Sequence, residues 1–408
     1  MSTAAPIVIV GASLAGLRAA QALRKADPAR EVVVIGQEEH LPYTRPPLSK
    51  QLLAGEQEAE HVALPGGDLD VTWRLGVRAT GLDRRAHEVV LEEGPPQPYD
   101  RVILATGCRA RPWTGPGAEL SGVHVLRDLP HALALRDELR AGARLVVLGA
   151  GFVGCEVAAT ARRAGLEVTL VDLAAHPMLP LGPAIGSRMA DLHEGEGVAL
   201  RLGVGVEALH GDGRVNEVEL ADGSRLPADV VLVALGAQPN VEWLEESGLT
   251  LDGGVVCDAT LTSVDDPDVL AAGDLCSWPH PLAQGDRIRV EHWTNAVEQG
   301  TLAGANAPLD PVERAAHVAV PTFWSDQYER KVQAVGLPGL ADAVEVVREG
   351  DGKLVAAARR DGRLIGAVAF NDVRGLMAYR KALAAGEDVP PPGAADDAEP
   401  APLANGAR

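Results

Sequence analysis

IVIVGASLAG at residues 7–16 and LVVLGAGFVG at residues 145–154 follow one pattern, an apolar run and then a glycine-rich turn. Each turn opens an Ala-rich helical stretch, LRAAQALRKA after the first and CEVAATARRAG after the second. Each stretch feeds a second apolar run, EVVVIG from Glu31 and EVTLVD from Glu167. Strand, turn, helix and strand in that order open a doubly wound parallel sheet, and the unit occurs twice. Short, wholly apolar strands suit such a sheet because helices cover both of its faces. RVILATG (101–107), DVVLVALG (229–236) and PDVLAAGD (267–274) read as further strands of the same kind. Between the first unit and RVILATG, hairpins are predicted around Gly76 and Gly94. From Phe323 the pattern changes to antiparallel strands and one helix: KVQAVG, AVEVVREG, KLVAAARRDGRLIGAVAFN, then DVRGLMAYRKALAAG. Asp361-Gly362 is a two-residue hairpin turn. Beyond about residue 388 the chain is Pro/Ala-rich and acidic, and disorder is expected there.

A length of 408 residues corresponds to about two to four domains. With 46% hydrophobic and 23% charged residues the chain can bury a large core. Its formal net charge of −20 argues against nucleic acid and anionic membrane as general partners, since both need a basic footprint. Cys108, Cys155, Cys257 and Cys276 form no C-x-x-C pair, and the histidines show no ligand spacing, so neither a disulfide framework nor a metal site is expected. The N-terminus has no basic n-region and runs straight into a strand, which predicts no signal peptide and a cytoplasmic location.

The first turn is Gly11-x-Ser13-Leu14-Ala15-Gly16, with serine in place of the middle glycine. Glycines there let the backbone approach a pyrophosphate, whose charge rests on the helix N-terminus. A tight strand–helix junction without a ligand is the plainer alternative. Glu38 lies 22 residues beyond Gly16, where an acid accepts from an adenosine ribose; Glu39 is the neighbouring alternative. The second turn, Gly149-x-Gly151-Phe152-Val153-Gly154, has all three glycines, and Asp172 follows 18 residues after Gly154. An acid there favours the free 2′-hydroxyl of NADH, and LAAHPML after it offers no Arg or Lys to a 2′-phosphate. Two such sites predict one tightly held and one exchanging dinucleotide, FAD and NADH, with hydride passing from nicotinamide to flavin.

These residues resemble the bacterial FAD-dependent ferredoxin reductases, the reductase components of monooxygenase and aromatic-ring dioxygenase systems. The resemblance runs from Pro6 to about Gly386 through GASLAGLRAA (11–20), PYTRPPLSK (42–50), ILATG (103–107), GAGFVGCEVA (149–158), ALGAQPN (234–240), LAAGD (270–274), EHWTNAVEQG (291–300) and FWSDQY (323–328). It implies a glutathione-reductase-like α/β fold, two Rossmann-like dinucleotide-binding domains plus a C-terminal α+β domain. It also implies that Lys50, aimed by two prolines, lies beside the flavin ring. Glu156 then lies near the nicotinamide within reach of Lys50; a carboxylate serving the helix dipole is the alternative. Asp274 is implied to bond the ribityl chain, with a helix N-cap as the compatible alternative. Arg127 matches an FAD contact or is a solvent-facing arginine, and Ala79 matches a backbone contact to the adenine end. A helix starting near Thr294 would turn its N-terminus to the flavin, with Trp293 packing near the ring. Trp324 would mark the electron exit; core packing is the alternative for both tryptophans. Arg45, Ala105, Thr106, Gly107, Gly236, Gly273, Glu291 and His292 complete the cofactor positions of these blocks. Disulfide and peroxide reductases of this architecture need cysteine beside the flavin, and residues 36–66 contain none.

The expected organisation is an FAD domain (1–112 and 240–314), an inserted NADH domain (113–239), a C-terminal α+β domain (315–388) and a disordered tail (389–408). The expected activity carries electrons from NADH through FAD, one at a time, to a 2Fe-2S ferredoxin that feeds an oxygenase. A rubredoxin reductase and an NADH-sensing flavoprotein of the apoptosis-inducing-factor type are the alternatives, and a monomer or weak dimer is expected. Residues 387–408 hold five acids and Arg408, a net −4 of the −20, leaving −16 on the folded part. A ferredoxin is usually acidic too, so docking needs a local basic patch. Arg330, Lys331, Arg374, Arg380 and Lys381 offer one.

Overall fold

The computed structural model describes residues 5–387, so the predicted disordered tail lies outside the described residues. Six α-helices occur among them: α1 Leu14–Ala26, α2 Leu129–Glu138, α3 Phe152–Arg163, α4 Pro183–Gly195, α5 Trp293–Asn306 and α6 Val373–Ala385. None is long and apolar enough to cross a membrane. The chain divides into two compact units. Among the described residues one comprises 5–112, 125–137 and 235–319; the other comprises 113–124, 138–234 and 320–387.

The first unit is built on a five-stranded sheet ordered Val269–Ala271, Arg101–Leu104, Ile7–Val10, Val32–Gly36, Thr72–Leu75. All four pairings are parallel. The apolar runs around Ile7, Val32 and Arg101 are its central strands, and Ile7, Val8 and Ile9 are wholly buried. Thr72–Leu75 corrects the reading of Gly76 as a hairpin turn. It is the parallel edge strand of this sheet, and Gly76, at φ +68°, turns the chain out of it. The hairpin lies further on, between Ala79–Asp83 and Glu88–Leu91, and Gly94 does stand in the next antiparallel connection, to Gln97–Pro98.

Helix packing in this unit depends on absent side chains. An ideal Cβ on Gly300 would lie 2.3 Å from the Ala15 carbonyl oxygen, and one on Gly304 would lie 2.2 Å from that of Ala19. Residues 15 and 19 therefore match 300 and 304 in the same direction, so α1 and α5 run parallel with both N-termini at one end. α5 begins six residues before the position level with the start of α1. At 1.5 Å per residue it projects about 9 Å further.

The second unit repeats the architecture. Its sheet is ordered Ala199–Leu202, Glu167–Asp172, Arg144–Leu148, Val230–Val233, with Val123–Val125 at the edge. The first four strands are parallel. The C-terminal part is a five-stranded antiparallel sheet ordered Thr322–Gln327, Arg330–Gly336, Arg363–Phe370, Lys353–Arg360, Ala343–Gly350. Asp361 and Gly362 have φ of +50° and +78°, the left-handed pair that a tight hairpin requires. α6 covers this sheet, capped by the Asp372 carboxylate on the Gly375 amide and ended by Gly386 at φ +70°.

Candidate functional site

The two glycine turns are superimposable in their contacts. Gly11 donates its amide to Ile35 at 2.7 Å, and Gly149 donates to Val171 at 2.7 Å. Gly16 and Gly154 each press against the first glycine of their own turn, where an ideal Cβ would lie 1.9 Å from its carbonyl oxygen. The first glycines have φ of +122° and +107°. At Gly11 a side chain would also strike Ala105. The middle position is different. Ser13 (φ −113°, ψ −159°) and Gly151 (φ −75°, ψ −169°) are both in ordinary extended backbone, and a Cβ on Gly151 would meet nothing within 4 Å. Serine is therefore admitted without strain.

Neither α1 nor α3 has a side-chain N-cap or an acidic residue in its first turn. Their leading amides are therefore left without a capping side chain or a competing acid on the helix, the chemistry that suits a dinucleotide pyrophosphate at both ends.

Around the first turn the structure gathers most of the residues predicted for FAD. Ala105, Thr106 and Gly107 follow the strand beside it; Thr106 and Asn240 exchange hydrogen bonds of 2.9 and 2.8 Å. Gly236 accepts from the Arg111 amide at 3.0 Å. Gly273 donates to Gln299 Oε1 of α5 at 2.8 Å, and Ala79 is half-buried at the start of its strand. Glu38 receives Arg45 Nη2 on Oε1 at 2.7 Å and the Tyr43 hydroxyl on Oε2. Each carboxylate oxygen keeps acceptor capacity for a ribose hydroxyl. Arg45 Nη1 also holds the Arg127 carbonyl at 2.7 Å. Arg127 in turn donates Nη2 to Asp274 Oδ2 at 2.6 Å and Nε to the Cys108 carbonyl at 2.9 Å. Desolvation, the largest single effect, works against the Arg127 cation, but Asp274, Cys108 and Glu291 together outweigh it and raise its pKa. Asp274 is thus an ion-paired carboxylate, and no helix among the described residues starts at it. The Cys108 thiol bonds the same oxygen at 3.1 Å, and burial pushes its pKa up, so it is a packed donor.

PYTRPPLSK does more than aim a lysine. Tyr43 holds Glu38 and receives the Leu129 amide at 3.1 Å. Thr44 Oγ1 receives the Trp293 indole at 3.2 Å, fixing that ring at the start of α5. Pro46–Ser49 form one 3-10 turn, and Lys50 closes it with Nζ 3.1 Å from the Pro46 carbonyl. α5 starts at Trp293, one residue earlier than predicted. Burial drives the pKa of His292 down to about 4 although Asp274 opposes it, so the imidazole is neutral at pH 7. Glu291 is exposed and paired with Arg289 at 2.6 Å.

In the second unit Asp172 is committed to the turn itself. Oδ2 accepts from the Ala150 amide at 2.6 Å and Oδ1 from the Ala174 amide at 2.7 Å. Phe152 packs edge-on against Phe323, ring centroids 4.9 Å apart, while Val153 is exposed. Glu156 is the fifth residue of α3, in its second turn. It is buried and accepts from Ser325 Oγ at 2.7 Å. Trp324, half-buried, faces away from Ser325 on the same strand. Lys50 and Trp293 belong to the first unit, Glu156 and Trp324 to the second. Sequence reasoning passed over Tyr43, Gln299, Ser325 and Gln327. Nothing local in FWSDQY marks the last two, since both faces of that strand carry an aromatic and a polar residue.

Residues 5–300 match the family described as pyridine nucleotide-disulphide oxidoreductase, and residues 322–401 match the reductase C-terminal domain. The chain is 37% identical to rhodocoxin reductase of Rhodococcus erythropolis over 96% of its own length and 92% of that protein. It is 38% identical to the ferredoxin–NAD(+) reductase component of the anthranilate 1,2-dioxygenase system of Burkholderia cepacia, covering 94% and 95%. Among solved structures, it is similar to the reductase in the covalent putidaredoxin reductase–putidaredoxin complex, with TM-score 0.89 and 31% identity over 96% of each chain. A ferredoxin reductase from Rhodopseudomonas palustris gives TM-score 0.90 and 34% identity over 96% and 97%.

Proposed function

The chain belongs to the pyridine nucleotide-disulphide oxidoreductase family, and on that premise we propose that it is an FAD-dependent NADH:ferredoxin oxidoreductase. Its electrons would pass one at a time to a 2Fe-2S ferredoxin that feeds an oxygenase. The observation that carries this reading is the pair of uncapped glycine-turn helices, one in each unit. Bound FAD supplies the step from a two-electron donor to a one-electron carrier. The proposed division is FAD domain 1–112 and 240–314, NADH domain 113–239 and C-terminal domain 315–388.

The chain's own residues bind and orient. Gly11 to Gly16 hold the FAD pyrophosphate at α1, and Glu38 holds the adenosine ribose with Arg45 and Tyr43 fixing its carboxylate. Arg127 aims Asp274 at the ribityl chain, and its partner Cys108 adds a second fixed donor. The N-terminus of α5, projecting beyond α1, faces the ring end with Trp293 locked by Thr44, while Lys50 supplies positive charge there. Gly149 to Gly154 hold the NADH pyrophosphate, Asp172 repels a 2′-phosphate, and Glu156 orients the nicotinamide. Trp324 lines the electron exit.

Ferredoxin docks on the C-terminal sheet near α6. Lys331 is exposed and paired with Asp326 at 3.7 Å, while Arg330 is tied to the Gly352 carbonyl. Lys331 and Asn371 bond each other, which brings the start of α6 beside this strand. Arg374 and Lys381 are exposed seven residues apart on one helix face; Arg380 is half-buried on the flank. The chain acts as a monomer or weak dimer.

The test is anaerobic NADH reduction of the purified protein, followed by NADH-driven cytochrome c reduction with added 2Fe-2S ferredoxins or rubredoxins. A yellow protein bleached by NADH, with turnover that depends on a 2Fe-2S ferredoxin, is expected. Rubredoxin-dependent turnover would replace the carrier, and a colourless or unbleached protein would end the reading. Glu substitutions at Arg374 and Lys381 should slow ferredoxin reduction and leave flavin bleaching unchanged.

A further inference from the structure

The strand Thr322–Gln327 sends alternate side chains to opposite faces. On one face Ser325 and Gln327 are wholly buried, as is His193 of α4. Ser325 Oγ lies 2.7 Å from Glu156 Oε1, and Gln327 Nε2 lies 3.1 Å from Ser325 Oγ. Gln327 Oε1 is 2.9 Å from His193 Nε2, and His193 Nδ1 is 3.3 Å from the Tyr328 hydroxyl.

The direction of this chain follows from donor and acceptor chemistry. A carboxylate only accepts, so the single Ser325 hydroxyl proton goes to Glu156. Ser325 Oγ must then accept, which fixes the Gln327 amide with its nitrogen toward the serine. Its oxygen faces His193, so the histidine carries its proton on Nε2. Nδ1 is left to accept from Tyr328. Burial lowers the pKa of His193, which keeps the ring in this neutral form. Each link from Tyr328 onward donates toward Glu156, and the Gln327 amide also donates to Met178 Sδ at 3.7 Å.

We infer that Ser325, Gln327 and His193 are positioning residues that hold the Glu156 carboxylate in one orientation, so that the seating of the C-terminal strand sets the aim of a group on α3. The inference rests on the reading that places Glu156 at the nicotinamide. The conspicuous residue of FWSDQY, its tryptophan, is on the other face and takes no part.

Three readouts on the holoprotein test it: NAD+ affinity of the oxidised form by visible-spectrum titration, anaerobic bleaching rate at saturating NADH, and melting temperature. Ser325→Ala removes the last donor, a hydrogen bond to a charged group, and should lower the bleaching rate or the NAD+ affinity roughly tenfold. Ser325→Thr keeps the hydroxyl and should restore both to within about twofold of the parent. Gln327→Met removes the next link at similar volume and should act in the same sense by about threefold. In a Glu156→Gln background, Ser325→Ala should add nothing further. A loss confined to melting temperature, or the same factor in both backgrounds, overturns the inference. Impairment by Glu156→Gln without any by Ser325→Ala overturns the inference alone. A silent Glu156→Gln removes the reading of Glu156, and the inference falls with it. Should Ser325→Ala fail to fold, Gln327→Met decides by the same criteria.

Discussion

Alanine in place of glycine inside a helix ordinarily stabilises, by about 1 kcal/mol. At Gly300 the structure reverses the sign. A Cβ there would lie 2.3 Å from the Ala15 oxygen and 3.0 Å from the Ala15 carbonyl carbon and Cα. Ordinary contact begins near 3.4 Å, so the helices must part by about 1 Å. The obstructing atoms are helix backbone and cannot rotate away. Overpacking costs about 1–3 kcal/mol, and a clash this deep against fixed backbone falls at the upper end, about 2–3 kcal/mol, which leaves a net loss of roughly 1–2 kcal/mol after the propensity gain. For a unit of this size that is a fall in melting temperature of about 2–8 °C. Parting α1 from α5 also separates the two helix N-termini proposed to face the flavin, so flavin content after gel filtration should drop. Gly195→Ala is the control. It too is helical, but its Cβ would meet nothing within 4 Å, so that variant should melt no lower than the parent. Scanning fluorimetry and the ratio of flavin to protein absorbance read both effects. If Gly300→Ala melts as high as Gly195→Ala and retains full flavin, the two helices do not pack as described.

Asp172→Ala should relax the preference for NADH over NADPH, read as the ratio of kcat/KM values. Because Asp172 also holds the Ala150 and Ala174 amides, NADH affinity should fall as well; unchanged NADH affinity would mean the turn does not need it. Arg127→Met leaves Asp274 without its ion pair and should cost about 1.5–3 kcal/mol, read as faster flavin loss on dilution. Undiminished retention would remove Asp274 from the flavin site. His317 is buried beside Trp278 and His280, both ring nitrogens lack a hydrogen-bond partner, and burial drives its pKa down to about 4. Its unfolded form binds a proton near pH 6.5 and the folded form does not, so this stability is present above about pH 6.5 and is lost as pH falls toward 4. The full shift corresponds to about 3 kcal/mol. His317→Phe keeps the aromatic packing and should flatten melting temperature against pH over that window; parallel curves would refute the assignment.

The doubly wound sheets were legible because each strand is short, apolar and followed by its own glycine turn, signals that are local in sequence. The edge strand Thr72–Leu75 was not, because TWRL is half-exposed and pairs with residues near position 33, which no local pattern announces. Gly76 then looked like a hairpin turn, since a left-handed glycine serves either kind of exit. Nothing local marks Gly300 and Gly304, because the backbone of Ala15 and Ala19 that excludes a side chain there lies far away in the sequence. The glycine turns and Asp172 were legible as a candidate site because their spacing is fixed within one supersecondary unit. The partners of Glu38, Asp274 and Glu156 come from segments 5 to 169 residues away, and tertiary structure alone brings them in.

That distinction separates two kinds of residue in the signature blocks. In PYTRPPLSK the sequence draws the eye to Lys50, and in FWSDQY to Trp324, because their chemistry is conspicuous in isolation. Their neighbours carry the connections: Tyr43, Thr44 and Arg45 tie Glu38, Trp293 and Arg127 into one network. Ser325 and Gln327 do the same for Glu156 and His193. A lysine or tryptophan delivers charge or an electron only as reliably as its surroundings are held, and a shift of about 1 Å at such a site can cost about a hundredfold in rate. The small polar residues of these blocks are therefore as constrained as the conspicuous ones. A search that scores only reactive side chains will miss them for a physical reason: their role is defined by what they hold, and the held group is distant in sequence.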